Sequence, residues 1–260
     1  MRAVGGAPTV LRMDLELALR TTGAVRTFTE QPVDDATILS ILDDARFAPS
    51  GGNRQPWRVA VVKEPGTRRS LGELMRPVWD EYAAIAATGR TPFTAIDPAP
   101  YRLESTRAGN VPNGLIDGIE DVPAVLIVAG DLSRIAMMDL EVGRPTLTGG
   151  ASVYPFCWSV LLAARVRGMG GVITTFLSRA ESEAGGLLGL PDGCALAATI
   201  FLGYPIHQPT KLKRAGVETF ATIDRFDGPR LGSSTEHQLG TTSPFDQSRP
   251  SIAGPEISTR

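Results

Sequence analysis

The sequence predicts an α+β fold, a mixed sheet sandwiched by helices, and two observations carry that expectation. Apolar residues recur at helical spacing over 34–45 and 67–82, while short apolar runs at 59–62, 124–128 and 194–202 read as buried strands. The two kinds of element alternate without the regular strand–helix–strand rhythm of a parallel α/β sheet.

In chain order, Asp34 caps a helix whose apolar positions are Ile38, Ile41, Leu42 and Ala45, and Pro49 limits its far end. Val59-Ala60-Val61-Val62 is the first strand. Thr67 can open a second helix with Leu71, Leu74, Met75, Val78 and Tyr82 on one face. From Thr88 to Pro112 periodicity is lost, because Gly89, Pro92, Pro98, Pro100 and Pro112 break any element. A stretch of that length in a compact domain is functional or disordered. Ala124 to Val128 is a strand buried on both faces. After an irregular patch, Arg144 to Gly150, the run Ser152 to Arg165 is apolar around nearly its whole circumference, as in a helix central to a core or between subunits. Gly168 to Gly171 ends it and Val172 to Phe176 is short and extended. Ser178 with Glu181 reads as a capping box for a helix running to Gly189. Cys194 to Leu202 is the last strong strand, and Val217 to Ile223 is expected as one more. Beyond Asp227, Gly, Ser, Thr and Pro dominate, as in a mobile or draped tail.

The bulk properties exclude several functions. Over 260 residues, 42% hydrophobic and 21% charged side chains are ordinary for a soluble chain. A net charge of −2 with interspersed signs leaves no basic face for nucleic acid or anionic lipid. The longest apolar runs, Val122 to Ala129 and Tyr154 to Ala164, are too short to span a bilayer. Met1 to Arg20 carries Asp14 and Glu16 in its apolar part and lacks a signal-peptide core. Cys157 and Cys194 both sit in apolar context, as free thiols do in a reducing cytoplasm. With two histidines and no cysteine pair at ligand spacing, no metal site is expected. The expectation is a cytoplasmic protein without nucleic-acid or membrane partners.

The most informative stretch runs from Ala48 to Trp57. A helix-to-strand connection needs only a few turn residues. This one adds Gly51 and Gly52, which let backbone approach a flat or charged group, and Ser50, Asn53 and Gln55, which donate and accept hydrogen bonds. Such a loop suits a large planar ligand, although a capped helix followed by a proline-stiffened turn would use the same residues. Gly168 to Gly171 follows a helix rather than opening one, so there is no dinucleotide fingerprint. Walker loop and GxSxG elbow are both absent, and neither histidine has a carboxylate or nucleophile partner nearby in sequence. An enzyme built this way draws its chemistry from a cofactor.

Three separated segments resemble the flavin-dependent nitroreductase family. Thr22-Gly23-Ala24-Val25-Arg26-Thr27-Phe28-Thr29, followed by Gln31-Pro32-Val33, is similar to that family's opening Arg-x-Ser-x-Arg-x-Phe signature. The second segment is the Pro49–Trp57 loop. The third joins Val172-Ile173-Thr174-Thr175, Leu202-Gly203-Tyr204-Pro205 and Leu212-Lys213-Arg214, and is similar to the iodotyrosine deiodinase branch. The resemblance spans about residues 14 to 224 and departs from the signature at Thr22 and Ala24, where the family has Arg and Ser.

The resemblance implies a nitroreductase-like, mainly antiparallel mixed sheet flanked by helices, in a homodimer with FMN at the subunit interface. It implies an N-terminal extension (1–13), an FMN-binding domain (14–226) and a C-terminal tail (227–260). Arg26 and Arg214 would clamp the phosphate, near Thr22, Gly23 and Ala24. Thr21, Thr22, the Gly23 N–H, Arg20, Lys211 or Lys213 would offset the missing charge and hydroxyl. Ser50, Gly51, Asn53 and Gln55 would meet the ring's polar edge and the ribityl chain; Ile173, Thr174 and Thr175 would lie along the isoalloxazine. The helix carrying Tyr154, Phe156, Trp158 and Leu161 suits the dimer core, and residues 217–224 would reach across to the partner. Residues 88–112, with Phe93 and Tyr101, form the candidate acceptor lid. The implied activity is NAD(P)H oxidation with two-electron, ping-pong reduction of nitroaromatics, quinones or similar small-molecule electron acceptors. Reductive dehalogenation, and FMN storage or sensing without turnover, are the alternatives.

Overall fold

The computed structural model describes residues 13–94 and 111–232. The chain divides into two compact units, Met1–Leu212 and Lys213–Arg260. In the first, β1 (Trp57–Val62), β2 (Ala124–Asp131), β3 (Gly170–Thr174) and β4 (Cys194–Gly203) form one sheet in the order β1-β2-β4-β3. All neighbouring strands are antiparallel. The parallel element that makes the sheet mixed is a bridge from Ala24 to Gly171 at the β3 edge, where the Val25 N–H donates to the Gly171 carbonyl at 2.9 Å.

Helices cover both faces, which is why β2 and β4 read as continuous apolar runs. On one face, Ile38 and Ile41 of α2 (Asp35–Ala45) and Phe156 and Val160 of α5 (Tyr154–Val166) pack against Leu126, Val128, Ile200 and Leu202. On the other, Leu71 and Met75 of α3 (Pro65–Ala87), Leu115 of α4 (Gly114–Asp117) and Ala184 of α6 (Glu181–Leu188) pack against Val125, Ile127 and Phe201. The short α1 (Leu15–Thr21) lies against α5. Asp34 caps α2 as expected, accepting from the Thr37 N–H at 2.8 Å.

Three local expectations are corrected. The helix expected to open at Thr67 begins at Pro65, because the Glu64 carboxylate accepts from the N–H groups of Gly66 and Thr67. Proline at the first helical position gives up only an N–H that has no partner there. Ser178 and Glu181 are not a capping box. The Ser178 hydroxyl donates to the Leu196 carbonyl at 3.1 Å, and Glu181 accepts from the Leu196 N–H at 2.6 Å. β3 ends at Thr174 opposite Thr199, so these side chains satisfy strand groups that β3 does not reach. Val217 to Ile223 is not a strand: Val217–Thr219 is a 3-10 turn whose Val217 carbonyl accepts from Phe220 and Ala221, and pairing is limited to one Thr222–Arg230 bridge. Within α5, Phe156 and Leu161 are buried in their own core, whereas Tyr154 is 45% and Trp158 38% exposed. Cys157 and Cys194 are both free, and burial pushes the Cys157 thiol up to about 12.

The irregular patch before α5 is organised by a buried carboxylate that the sequence reading missed. Asp139 accepts from the Leu147 N–H (2.7 Å), the Thr148 hydroxyl (2.5 Å) and Arg144 (2.7 Å). These bonds, the Thr148 hydroxyl first, hold its carboxyl well below the usual carboxylate range. The unfolded chain therefore binds this proton more readily than the folded one, and stability rises with pH across the window between the two values. The contribution is complete above an unfolded pKa of about 3.9 and is lost as pH falls through the depressed folded value. Urea unfolding at pH 6 and pH 3 should show a loss of stability on acidification that shrinks in Asp139→Asn; equal losses would contradict this account.

Candidate functional site

The Ala48–Trp57 loop holds an uncommon backbone. Asn53 (φ 51°) and Gln55 (φ 48°) are left-handed without being glycine, and Gly52 (φ 58°) lies between them and Gly51. A left-handed non-glycine residue costs about 1–3 kcal/mol and persists only where its surroundings over-determine it. Here the Gln55 N–H donates to Ser50 Oγ at 3.0 Å, and Gln55 Nε2 donates to Asn53 Oδ1 at 3.0 Å. The Gly51 N–H donates at 3.0 Å to Ser152 Oγ, in the turn that follows the Asp139-bound segment. Trp57 closes the loop by stacking on buried Phe156, with ring centres 4.8 Å apart and planes 8° from parallel. Ser50 is half-buried, while Gly51, Asn53 and Gln55 are exposed.

A cavity of about 600 Å³ lies at the opposite sheet edge, lined by Arg26, Trp79, Tyr82, Ile173, Thr174 and Thr175 among others. That volume is in the range of small-molecule and cofactor sites. Trp79 and Tyr82 stack at 5.8 Å and both meet Phe176 edge-on at 5.9 Å, forming an aromatic wall. The wall is fixed in place: Trp79 Nε1 donates to the Val111 carbonyl at 2.9 Å and Asp80 accepts from the Val111 N–H at 3.1 Å. Thr174 and its ladder partner Thr199 each bury a hydroxyl without a hydrogen-bond partner. Arg26 is exposed and makes no ion pair or hydrogen bond among the described residues. An unsatisfied hydroxyl and a free guanidinium in one aromatic cavity are the groups a planar ligand with polar edges would satisfy.

The two groups of site residues do not meet within one chain. The Ser50–Gln55 loop leads into β1 and Thr174 ends β3, so three strand intervals, roughly 14 Å, separate them. The opening signature is also spread out. Arg26 lies two residues beyond the Ala24–Gly171 bridge, on the Ile173 side, and Thr22 two residues before it. Arg26 therefore belongs with Thr174 and Thr175 rather than with Thr22. At Thr22 the hydroxyl donates to the Ala18 carbonyl at 2.7 Å, and the Gly23 N–H donates to the Thr21 carbonyl at 3.0 Å. Gly23 packs so tightly that a Cβ would lie 2.7 Å from Leu212 Cδ2.

Lys213 and Arg214 belong to the second unit, where Arg214 donates to the Lys213 carbonyl at 2.9 Å. Phe93 packs on Tyr82 at 6.2 Å, with the Arg179 guanidinium 4.2 Å over its ring; Tyr101 lies outside the described residues. Sequence reasoning missed Trp79 and took Tyr82 for a core position, since a helix face pointing into a cavity and one pointing into a core share the same apolar spacing. Among the described residues, no cluster of three or more His, Cys, Asp or Glu side chains is arranged to hold a metal. No described helix is long and apolar enough to cross a membrane.

With this geometry in hand, similarity to known proteins places the chain. The model of the Nitroreductase family matches residues 19–204, and the chain belongs to that family. It is 25% identical over 201 residues to an NADH dehydrogenase of Thermus thermophilus, covering 75% of this chain and 89% of the relative. The fold matches that of the NADPH:FMN oxidoreductase from Vibrio harveyi complexed with NAD+ (TM-score 0.58, 18% identity, 80% of this chain and 76% of that one). It also matches oxidised iodotyrosine deiodinase bound to FMN and 3-iodo-L-tyrosine (TM-score 0.52, 22% identity, 78% and 95%). Family and fold are thus those of a nitroreductase-type oxidoreductase.

Proposed function

We propose that the protein is a cytoplasmic, homodimeric FMN-dependent oxidoreductase that uses NADH or NADPH to reduce nitroaromatics, quinones or similar electron-poor acceptors. The observation that carries this reading is the cavity that holds the unsatisfied Thr174 hydroxyl and Arg26, unpaired among the described residues, beside an aromatic wall. When bound, FMN would supply the two-electron redox chemistry between nicotinamide and acceptor, which would occupy one site in turn.

The chain's own residues bind and orient. Arg26, Thr174 and Thr175 would hold the polar edge of the ring, where a fixed cation would favour developing negative charge as an oxyanion hole does. Ile173 lies against the ring face. Ser50, Gly51, Asn53 and Gln55, too far from that cavity within one chain, reach the cofactor of a second copy. That arrangement gives the strained loop its purpose and makes the dimer the functional unit. Thr22, Gly23 and Ala24 lie toward the phosphate. Trp79 and Tyr82, with Phe93 behind them, shape the space for the acceptor and exclude water from it. No side chain is required as an obligate acid.

The purified protein should be yellow, should elute as a dimer, and should bleach at the oxidised flavin band when NADPH or NADH is added anaerobically, recovering on addition of a quinone. Colourless protein that does not take up FMN would refute the reading. A yellow protein unchanged by either nicotinamide would favour storage or sensing, and turnover with iodotyrosine but not quinones would favour dehalogenation.

A further inference from the structure

We propose that Arg165 supplies a cation to the phosphate end of the cofactor site, delivering from α5 the charge that the Thr22 position lacks. The proposal rests on the FMN reading above. Arg165 stands in the last turn of α5, half-buried, and its Nη2 donates to Thr21 Oγ1 at 3.3 Å, one residue from Thr22. Its Nε is buried with no hydrogen-bond partner. Among the described residues it has no carboxylate partner, and Thr21 spends its own hydroxyl proton on the Leu17 carbonyl.

A partly buried guanidinium is ordinarily paired, because leaving charge uncompensated away from water is costly. Arg167, two residues on and similarly enclosed, follows that rule through Asp44 at 2.8 Å. Arg165 does not, and its surroundings are short of partners too. Gln208 donates to the Thr21 carbonyl at 3.1 Å while its own Oε1 is buried and unsatisfied, close enough to Gly170 that a Cβ there would lie 2.9 Å away. Thr21, Arg165, Gln208 and Gly170 thus meet where α1 ends and β3 begins. Arg26 and Thr174 lie further along the same edge. A ligand lying along that edge would put its planar part against Arg26 and its far end toward Arg165. A phosphate monoester, with three acceptor oxygens and close to two negative charges, is the group that a guanidinium fork satisfies best.

Because riboflavin is FMN without the phosphate, comparing the two isolates this contact. Dissociation constants for FMN and riboflavin, read from flavin fluorescence quenching with the deflavinated full chain, would be compared among wild type, Arg165→Met and Arg165→Lys. Arg165→Met should weaken FMN about 10- to 100-fold, the span of one charge-assisted hydrogen bond, and leave riboflavin within about twofold. Arg165→Lys, which keeps a point charge but loses the fork, should fall between. Unchanged FMN binding, or equal losses for both flavins, would overturn the role of Arg165 while leaving the flavin site standing. If the Met variant does not fold, the Lys variant decides: its preference for FMN over riboflavin must drop, or the proposal fails. Wild-type protein that binds neither flavin would sink the FMN reading and this proposal together.

Discussion

Gly171→Ala should cost about 3 kcal/mol of stability, near the upper end of typical overpacking penalties, and weaken flavin binding at the proposed site. A Cβ at Gly171 would overlap the Phe201 carbonyl oxygen and lie 2.6 Å from Leu202 Cδ2. Both belong to β4, the partner strand of β3, so the obstruction is a backbone atom in the middle of the core rather than the tip of a flexible side chain. The strand must shift, and the chain bonded to its other edge shifts with it. Gly171 accepts from the Val25 N–H at 2.9 Å, and Arg26 follows directly. One methyl group thereby couples the core to the cavity. At about 2–4 °C per kcal/mol for a chain of this size, the unfolding midpoint should drop by roughly 6–12 °C. Gly186→Ala is the matched control: it lies in α6 with nothing within 4 Å of the added carbon, and alanine is the better helix former there. A Gly171→Ala protein as stable as Gly186→Ala would show that β3 and β4 are not packed as described.

What could be read from the sequence divides along the range of the interactions involved. α2 was legible because its cap and its apolar repeat lie within a dozen residues, and β2 and β4 because burial on both faces writes an unbroken apolar run. Ser178 and Glu181 misled for the complementary reason. Their spacing suits a cap, but the early end of β3 leaves Leu196 backbone groups that attract both side chains. Nothing local announces where a neighbouring strand will stop. The Ala48–Trp57 loop was visible in its residue types, whereas its left-handed Asn53 and Gln55 depend on bonds made after folding. Resemblance assigned Arg26 and Thr22 to one cluster; the parallel run beside β3 spreads them along an edge. Arg165 left no trace in the sequence, since the hydroxyl that receives it is 144 positions away.

Phe156→Ala tests the other half of the proposed site through the core beneath it. The ring is 2% exposed, so truncation removes a full aromatic side chain from a packed interior, a change that costs about 3–5 kcal/mol. The midpoint should fall by roughly 6–20 °C at the sensitivity used above. The ring also has a specific neighbour, Trp57, stacked at 4.8 Å, and Trp57 holds the end of the loop containing Asn53 and Gln55. Without that support, the loop has less to hold its backbone in a conformation that resists it. Phe156→Leu separates the two effects, because it retains most of the volume and loses the stack. It should cost less than about 1.5 kcal/mol, the usual bound for swaps that preserve core volume. Even so, hydrogen exchange at the Gly51 and Gln55 amides, bonded to Ser152 and Ser50, should speed up. Exchange at those amides that matches wild type in the leucine variant would mean that the short-range bonds alone set the loop. In that case the aromatic pair contributes to stability and not to the site.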